Sequence, residues 1–282
     1  MKSQLFLVTY AKDYDFTSYT LRSIMKFGRG FAGITIVVPT KDEARFRPLA
    51  KKYDCELRGY YESESKGFLH HQVCKCEADL WCPRDTDLIF HIDADCVFKE
   101  PFSPETFMRN GKPILVRERF DDFKHYAARY SWRQCVEYAL GVEMEWETMV
   151  RHPGVFWRDM YPRLRAHVER RHHYPFTQYV LLQRNQFPQS FAEFPTIGGY
   201  ALAFEGERYE TVTRVRTPCE WWEGKGVAVV ERDAKGVPVS EVDFYLDAFG
   251  RQISIVDPVH YFWSRAGVTP KIRGQIEDLL GS

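Results

Sequence analysis

Asp87-Leu-Ile-Phe-His-Ile-Asp93-Ala-Asp95-Cys-Val-Phe98 is an apolar run that ends in two carboxylates separated by one small residue. Leu88 to Ile92 has the length and apolar character of a buried strand. Ligands of open α/β sheets bind outside the carboxyl ends of the strands. Two aspartates at i and i+2, on the turn that leaves such a strand, can converge on one hard cation. That cation takes oxygen ligands and often shares them with substrate phosphates. Ala94 leaves room for a diphosphate. Alone, the tripeptide reads most simply as a polar strand end, so the segments around it decide its meaning.

Upstream, strand and helix alternate. Gln4 to Tyr10 is an apolar run. Asp15 opens a helical stretch with Phe16, Tyr19, Ile24 and Phe27 apolar, closed by Gly28 and Gly30. Gly33 to Val38 is β-branched and stops at Pro39. Thr40 is placed to cap a helix from Lys41 to Tyr53. Cys55 to Tyr60 reads as a third strand, and Lys66 to Trp81 has helical period. This alternation implies βαβ units and a mainly parallel sheet. Downstream the order loosens. Pro113 to Val116 reads as a strand, and Asp122 to Leu140 and Tyr161 to His172 as helices. Gly226 to Ser240 reads as a hairpin turning at Asp233-Ala-Lys-Gly236. Thr269 and Pro270 start a last helix that Gly281 closes. The expected fold is one α/β domain over 1–282. A Rossmann-type mixed sheet flanked by helices fills 1–120, and an irregular α+β half fills 121–282.

The 282 residues carry 39 Lys plus Arg against 39 Asp plus Glu, with 44% hydrophobic and 28% charged residues. This is ordinary globular composition, which argues against a disordered, collagen-like or polybasic chain. No stretch reaches the roughly 18 apolar residues of a membrane span. Leu5 to Tyr10 is too short for a secretory core. Seven cysteines, an odd number without framework spacing, point to a reduced, cytoplasmic protein. Cys74, Cys76 and Cys82 lack the ligand set of a zinc site and read as small buried residues.

Two enzyme classes share features with this pattern. Asp93-Ala-Asp95-Cys-Val97 resembles the first motif of haloacid-dehalogenase-like phosphatases. There the first Asp is the nucleophile and the second the general acid/base. That motif normally opens its domain, and here it follows more than ninety residues. Of the late acids such enzymes need for magnesium, only Asp243 and Asp247, flanking Phe-Tyr-Leu, are on offer. A wider resemblance is to GT-A type nucleotide-sugar glycosyltransferases. Leu5-Phe-Leu-Val-Thr-Tyr10 with Asp13 is similar to their first strand and base-binding loop. Gly67-Phe-Leu-His-His-Gln-Val-Cys-Lys75 resembles the helix that precedes their metal motif, and His-Ile-Asp93-Ala-Asp95 the motif itself. Ser190-Phe-Ala-Glu-Phe-Pro-Thr-Ile-Gly-Gly-Tyr200 resembles a segment of a poorly characterised bacterial and phage branch. Val259-His-Tyr-Phe-Trp263 resembles the late segment whose His completes the metal site.

The resemblance implies a GT-A-like fold and a set of roles. Asp95 would ligate the metal, Asp93 would share it or hold the ribose, and His260 would be a third ligand. Manganese, or magnesium, suits such a mixed set. Thr9, Tyr10 and Asp13 would meet the nucleoside, with Tyr10 stacking on the base and Asp13 accepting from a base N–H. Gln72 and Lys75, one helical turn apart, would face the same side, with Lys75 on phosphate or on Asp93. Glu193, between Phe191 and Phe194, would be the base of an inverting transfer.

For the acceptor, residues 151–186 hold seven arginines (Arg151, Arg158, Arg163, Arg165, Arg170, Arg171, Arg184) against Asp159 and Glu169. Aromatic residues are interleaved, and Trp221-Trp222 follows. Concentrated positive charge suits a phosphate-bearing partner, and arginine with aromatic faces suits unstacked bases or sugar rings. The acceptor is expected to be a glycan or a hydroxymethyl-pyrimidine of modified DNA, flipped into the site. The expected function is transfer of a sugar from a nucleoside-diphosphate sugar, UDP-linked by preference, to that hydroxyl. The phosphatase and a non-catalytic nucleotide-sugar or nucleic-acid binding module are the alternatives.

Overall fold

The computed structural model describes residues 1–63, 65–123, 127–148, 153–184, 191–217, 227–232, 238–246, 252–254, 259–261 and 268–281. The first elements are β1 (Ser3–Val8), α1 (Tyr14–Phe27), β2 (Gly33–Pro39), α2 (Glu43–Lys52), β3 (Glu56–Tyr60), α3 (Gly67–Cys76), α4 (Ala78–Trp81) and β4 (Leu88–Ile92). Then follow β5 (Cys96–Phe98), β6 (Met108–Arg109), β7 (Lys112–Arg119), α5 (Ala127–Leu140), β8 (Trp146–Glu147), β9 (Gly154–Trp157), α6 (Met160–His172), α7 (Phe176–Leu181) and α8 (Glu193–Glu205). The last are β10 (Glu210–Thr217), β11 (Val227–Arg232), β12 (Pro238–Leu246), β13 (Gln252–Ser254), β14 (Val259–Tyr261) and α9 (Pro270–Leu280).

The expected mixed α/β architecture is present. One sheet runs β3-β2-β1-β4-β9. Its first four strands are parallel, and β9 lies antiparallel to β4, with His91 opposite Gly154. Strand parity assigns the two faces, because side chains alternate across a strand. Leu5, Leu7, Ile36, Val38, Leu88 and Phe90 pack with Leu21 and Ile24 of α1 and with Phe46 and Leu49 of α2. Phe6, Val8, Val37 and Ile89 face the other way, onto Leu69 and Val73 of α3, Leu140 of α5, Leu164 of α6 and Ile197 of α8. Both faces are covered, so these strands read as continuous apolar runs. Full burial of each large aliphatic side chain contributes about 1.5–3 kcal/mol.

A second sheet, β13-β12-β11-β10-β7-β6, carries β8 on β7. β11 and β12 pair antiparallel as the expected hairpin, while its turn lies outside the described residues. β14 pairs antiparallel with β5, setting His260 opposite Val97. α9 packs beside it: Ile272, Ile276 and Leu280 join Phe16 of α1 and Val97 of β5. The expected cap holds, since the Thr269 hydroxyl accepts from the amide of Ile272 at 3.2 Å, and Gly281 ends the helix at φ 56°.

Three local expectations change. Thr40 does not cap α2: it starts a short 3₁₀ turn, and its hydroxyl donates to the carbonyl of Tyr60 at 3.1 Å, tying β2 to β3. The Lys66–Trp81 stretch breaks at Glu77 into α3 and α4, where Arg165 donates to the Cys76 carbonyl at 2.9 Å. The Asp122–Leu140 stretch opens on a 3₁₀ turn over Phe120–Phe123, and α5 covers Ala127–Leu140, with residues 124–126 outside the described ones. Cys74, Cys76 and Cys82 are buried free thiols, as expected. Among the described residues no helix is long and apolar enough to cross a membrane.

Candidate active site at the end of strand β4

Parity explains how the site forms. Asp93 follows Ile92 and has the parity of Ile89 and His91, so it leaves the sheet on the face covered by α3 and α8. Lys75 of α3 and Glu193 of α8 meet it there. The Lys75 Nζ donates to Asp93 Oδ1 at 2.8 Å and to Glu193 Oε1 at 3.0 Å. It also lies 4.2 Å from the centroid of the Phe194 ring. The lysine side chain is 7% exposed, that of Glu193 12% and that of Asp93 26%. Burial works against the Lys75 charge, but Asp93 and then Glu193 more than offset it and hold its pKa above the ordinary lysine value. A cation that gains two carboxylates and a ring face is compensated at this depth. Glu193 is also the first residue of α8, where the helix dipole favours a negative group.

The turn itself is fixed from the opposite face. Thr20 of α1 donates to the Ala94 carbonyl at 2.6 Å, and the Ser23 hydroxyl accepts from the Phe98 amide at 3.0 Å. The Cys96 amide closes the turn onto the Asp93 carbonyl at 3.2 Å. Ala94 is buried, while Asp93 and Asp95 are partly exposed. A rigid backbone therefore presents both carboxylates at a strand end that a ligand can reach.

The structure brings Tyr10, Lys75, Asp93, Asp95 and Glu193 to one end of the first sheet. Thr9 is fully buried, its hydroxyl 3.1 Å from that of Thr17. Asp13 is 8% exposed in the 3₁₀ turn after β1, and its carbonyl accepts from Thr17 at 2.8 Å. Gln72 is 1% exposed, and its Oε1 has no hydrogen-bond partner among the described residues. His260 pairs by its backbone with Val97, two residues beyond Asp95. Among the described residues no three His, Cys, Asp or Glu side chains converge as a metal cluster. Trp221 and Trp222 lie outside the described residues.

Four positioning residues escaped the sequence reading. Thr20 and Ser23 hold the turn. Asp42 accepts from the Ala11 amide at 2.8 Å and so sets the loop after β1. His71, one turn before Lys75, packs edge-to-face on Tyr10 with ring centroids 6.4 Å apart. Its signal was the i, i+4 spacing to Lys75.

The arginine run is mostly engaged inside the molecule. Arg165 binds both oxygens of Asp79, at 2.5 and 2.9 Å, and Arg158 donates to the Asp79 carbonyl at 2.7 Å. Arg163 binds both oxygens of Glu205, at 2.7 and 2.9 Å, and also Asp159. Arg171 donates to the Tyr138 carbonyl at 3.0 Å. Arg170 and Arg184 are exposed, and Arg151 lies outside the described residues. Arg163 and Arg165 are thus paired with carboxylates and Arg158 and Arg171 spend donors on backbone carbonyls, which weakens the case for a polyanionic acceptor.

No family model matches the chain, and no curated protein matches it in sequence. Among solved structures it is similar to mouse xyloside xylosyltransferase 1 in its apo form, at 10% identity and TM-score 0.39, over 79% of this chain and 90% of that one. It is similar to the 4-diphosphocytidyl-2C-methyl-D-erythritol synthase of Anaerococcus prevotii at 16% identity and TM-score 0.30, over 42% of this chain and 55% of that one. The inositol-1-phosphate CTP transferase of T. maritima matches at 11% identity and TM-score 0.31, over 42% of this chain and 54% of that one. The chain thus spans little more than half the length of the latter two.

Proposed function

We propose that the chain is a metal-dependent GT-A type glycosyltransferase. It would move a sugar from a nucleoside-diphosphate sugar, UDP-linked by preference, to an acceptor hydroxyl with inversion. The observation that carries this reading is the meeting of Asp93 and Glu193 on one buried ammonium, beside the partly exposed Asp95, at the carboxyl end of β4. β1 and β4 are adjacent parallel strands whose carboxyl ends lie side by side, and open α/β sheets take their ligands outside the carboxyl ends of their strands.

The donor set fits a divalent ion such as manganese or magnesium. Asp95, the second oxygen of Asp93 and the imidazole of His260 would hold it. Bound there, the ion would neutralise charge developing on the leaving diphosphate. The chain's own residues do the rest. Lys75 fixes the Asp93 carboxylate by its Oδ1 and adds positive charge beneath the phosphates. Tyr10 offers a ring to the base. Lys75 also holds Glu193 by Oε1, which leaves Oε2 to take the proton of the attacking acceptor hydroxyl. With so much of the arginine run engaged internally, a glycan is the favoured acceptor over modified DNA.

The test is turnover of a panel of UDP- and GDP-sugars with manganese and with chelator. One donor should release its nucleoside diphosphate only when metal is present. An absence of turnover and of donor binding across the panel refutes the reading.

A further inference from the structure

His71 carries a buried atom that no described residue uses. One ring nitrogen donates to the carbonyl of Val8, which fixes the tautomer. The other, Nε2, is buried and has no hydrogen-bond partner among the described residues. Burial first, and the Lys75 ammonium second, lower the imidazole pKa to about 3 despite Asp93. The ring is therefore neutral at ordinary pH, and Nε2 offers a lone pair and no proton. A buried acceptor left without a donor is unfavourable, so such atoms are kept where a ligand or water completes them.

The position of His71 says which part of a ligand that is. Its ring stands edge-to-face to Tyr10 and lies close enough to Lys75 and Asp93 to feel both charges. On the donor reading above, on which this inference rests, Tyr10 meets the base and Asp93 with Asp95 meets the diphosphate. The group between base and diphosphate in any nucleotide is the ribose. We propose that His71 Nε2 accepts a hydrogen bond from a ribose hydroxyl of the donor, uncovered when the partly exposed Tyr10 ring turns onto the base. The site would then select ribonucleotides over a deoxy form, because a missing hydroxyl leaves the acceptor unpaired.

Calorimetry on the intact chain tests this. The best-binding of UDP, GDP, ADP and CDP is compared with its 2′-deoxy and 3′-deoxy forms, on wild type, His71→Leu and His71→Gln. Wild type should bind one deoxy form about tenfold or more weakly. His71→Leu should bind it as well as the parent nucleotide, and His71→Gln, which keeps an acceptor, should recover part of the preference. His71→Phe serves in place of His71→Leu if the latter does not fold. No preference in wild type, or the same preference in the apolar variant, overturns the proposal while leaving the donor reading intact. Failure of wild type to bind any of the four nucleotides overturns both.

Discussion

Replacing Lys75 by Met removes the cation and keeps much of the volume. The two carboxylates it joins would then face one another with no positive partner between them. Removing one member of a buried ion pair costs about 3–5 kcal/mol. The Glu193 side chain is only 12% exposed, but Asp93 is 26% exposed and water screens part of its charge. The expected loss is therefore at the lower end, about 3 kcal/mol. For a chain of this size that lowers Tm by roughly 6–10 °C. Because the Lys75 pKa is raised in the fold, its contribution is fully present below the ordinary lysine value of about 10.4 and fades only as pH rises through the higher folded value. The difference between wild type and Lys75→Met should thus be steady from neutral pH to about pH 10. In acid it should shrink as one of the facing carboxyls takes a proton. Scanning calorimetry at neutral and acid pH reads both effects. The double variant Lys75→Met with Glu193→Gln should recover part of the loss, since one buried charge is gone. A single variant that melts within about 1 °C of wild type would show that Lys75 is not the ionic link between α3, β4 and α8.

Other outcomes follow from single contacts. His71 has a folded pKa of about 3 against 6.5 unfolded, so the fold binds fewer protons than the unfolded chain between those values. Stability should be intact above about pH 6.5 and fall toward pH 3 by up to about 1.4 kcal/mol per unit, a slope that His71→Leu removes in acid melting curves. Gly198 of α8 faces Thr148, whose Cβ would lie 2.6 Å from an added methyl, whereas Gly274 of α9 has open space. Gly198→Ala should lower stability by about 1–3 kcal/mol, and Gly274→Ala should raise it by up to about 1 kcal/mol in urea melts. Glu193→Gln should lower kcat by about 10²–10⁴-fold with donor affinity little changed, as loss of a general base would. A fall in donor affinity alone would make Glu193 a holder of Lys75 and no base.

β1, β2 and β4 were readable because they are buried on both faces, so apolar runs coincide with the elements. The position of the Asp93–Asp95 turn was readable for the same reason, and the i, i+3 step from Gln72 to Lys75 put both on the buried side of α3. β9 was not readable. Gly154–Trp157 is four residues long, and its place beside β4 is set by tertiary pairing rather than by any local preference. It takes a piece of the second half of the chain into the first sheet. Thr40 has the sequence position of a cap, yet a neighbouring strand carbonyl takes its hydroxyl. The arginine run looked like a ligand surface because composition cannot see partners. Asp79 and Glu205, remote in sequence from the arginines they neutralise, hold Arg165 and Arg163. His71 was passed over because its i, i+4 spacing to Lys75 says nothing of which ring nitrogen finds a partner until the fold is known.

The most direct measurement is the rate of nucleoside-diphosphate and of inorganic-phosphate release from the preferred donor, with manganese, for wild type, Asp95→Ala and Asp93→Asn. The account predicts nucleoside diphosphate without free phosphate from wild type, and a loss of about 100-fold or more in Asp95→Ala. Release of inorganic phosphate that Asp93→Asn abolishes, or an undiminished rate in Asp95→Ala, would contradict it.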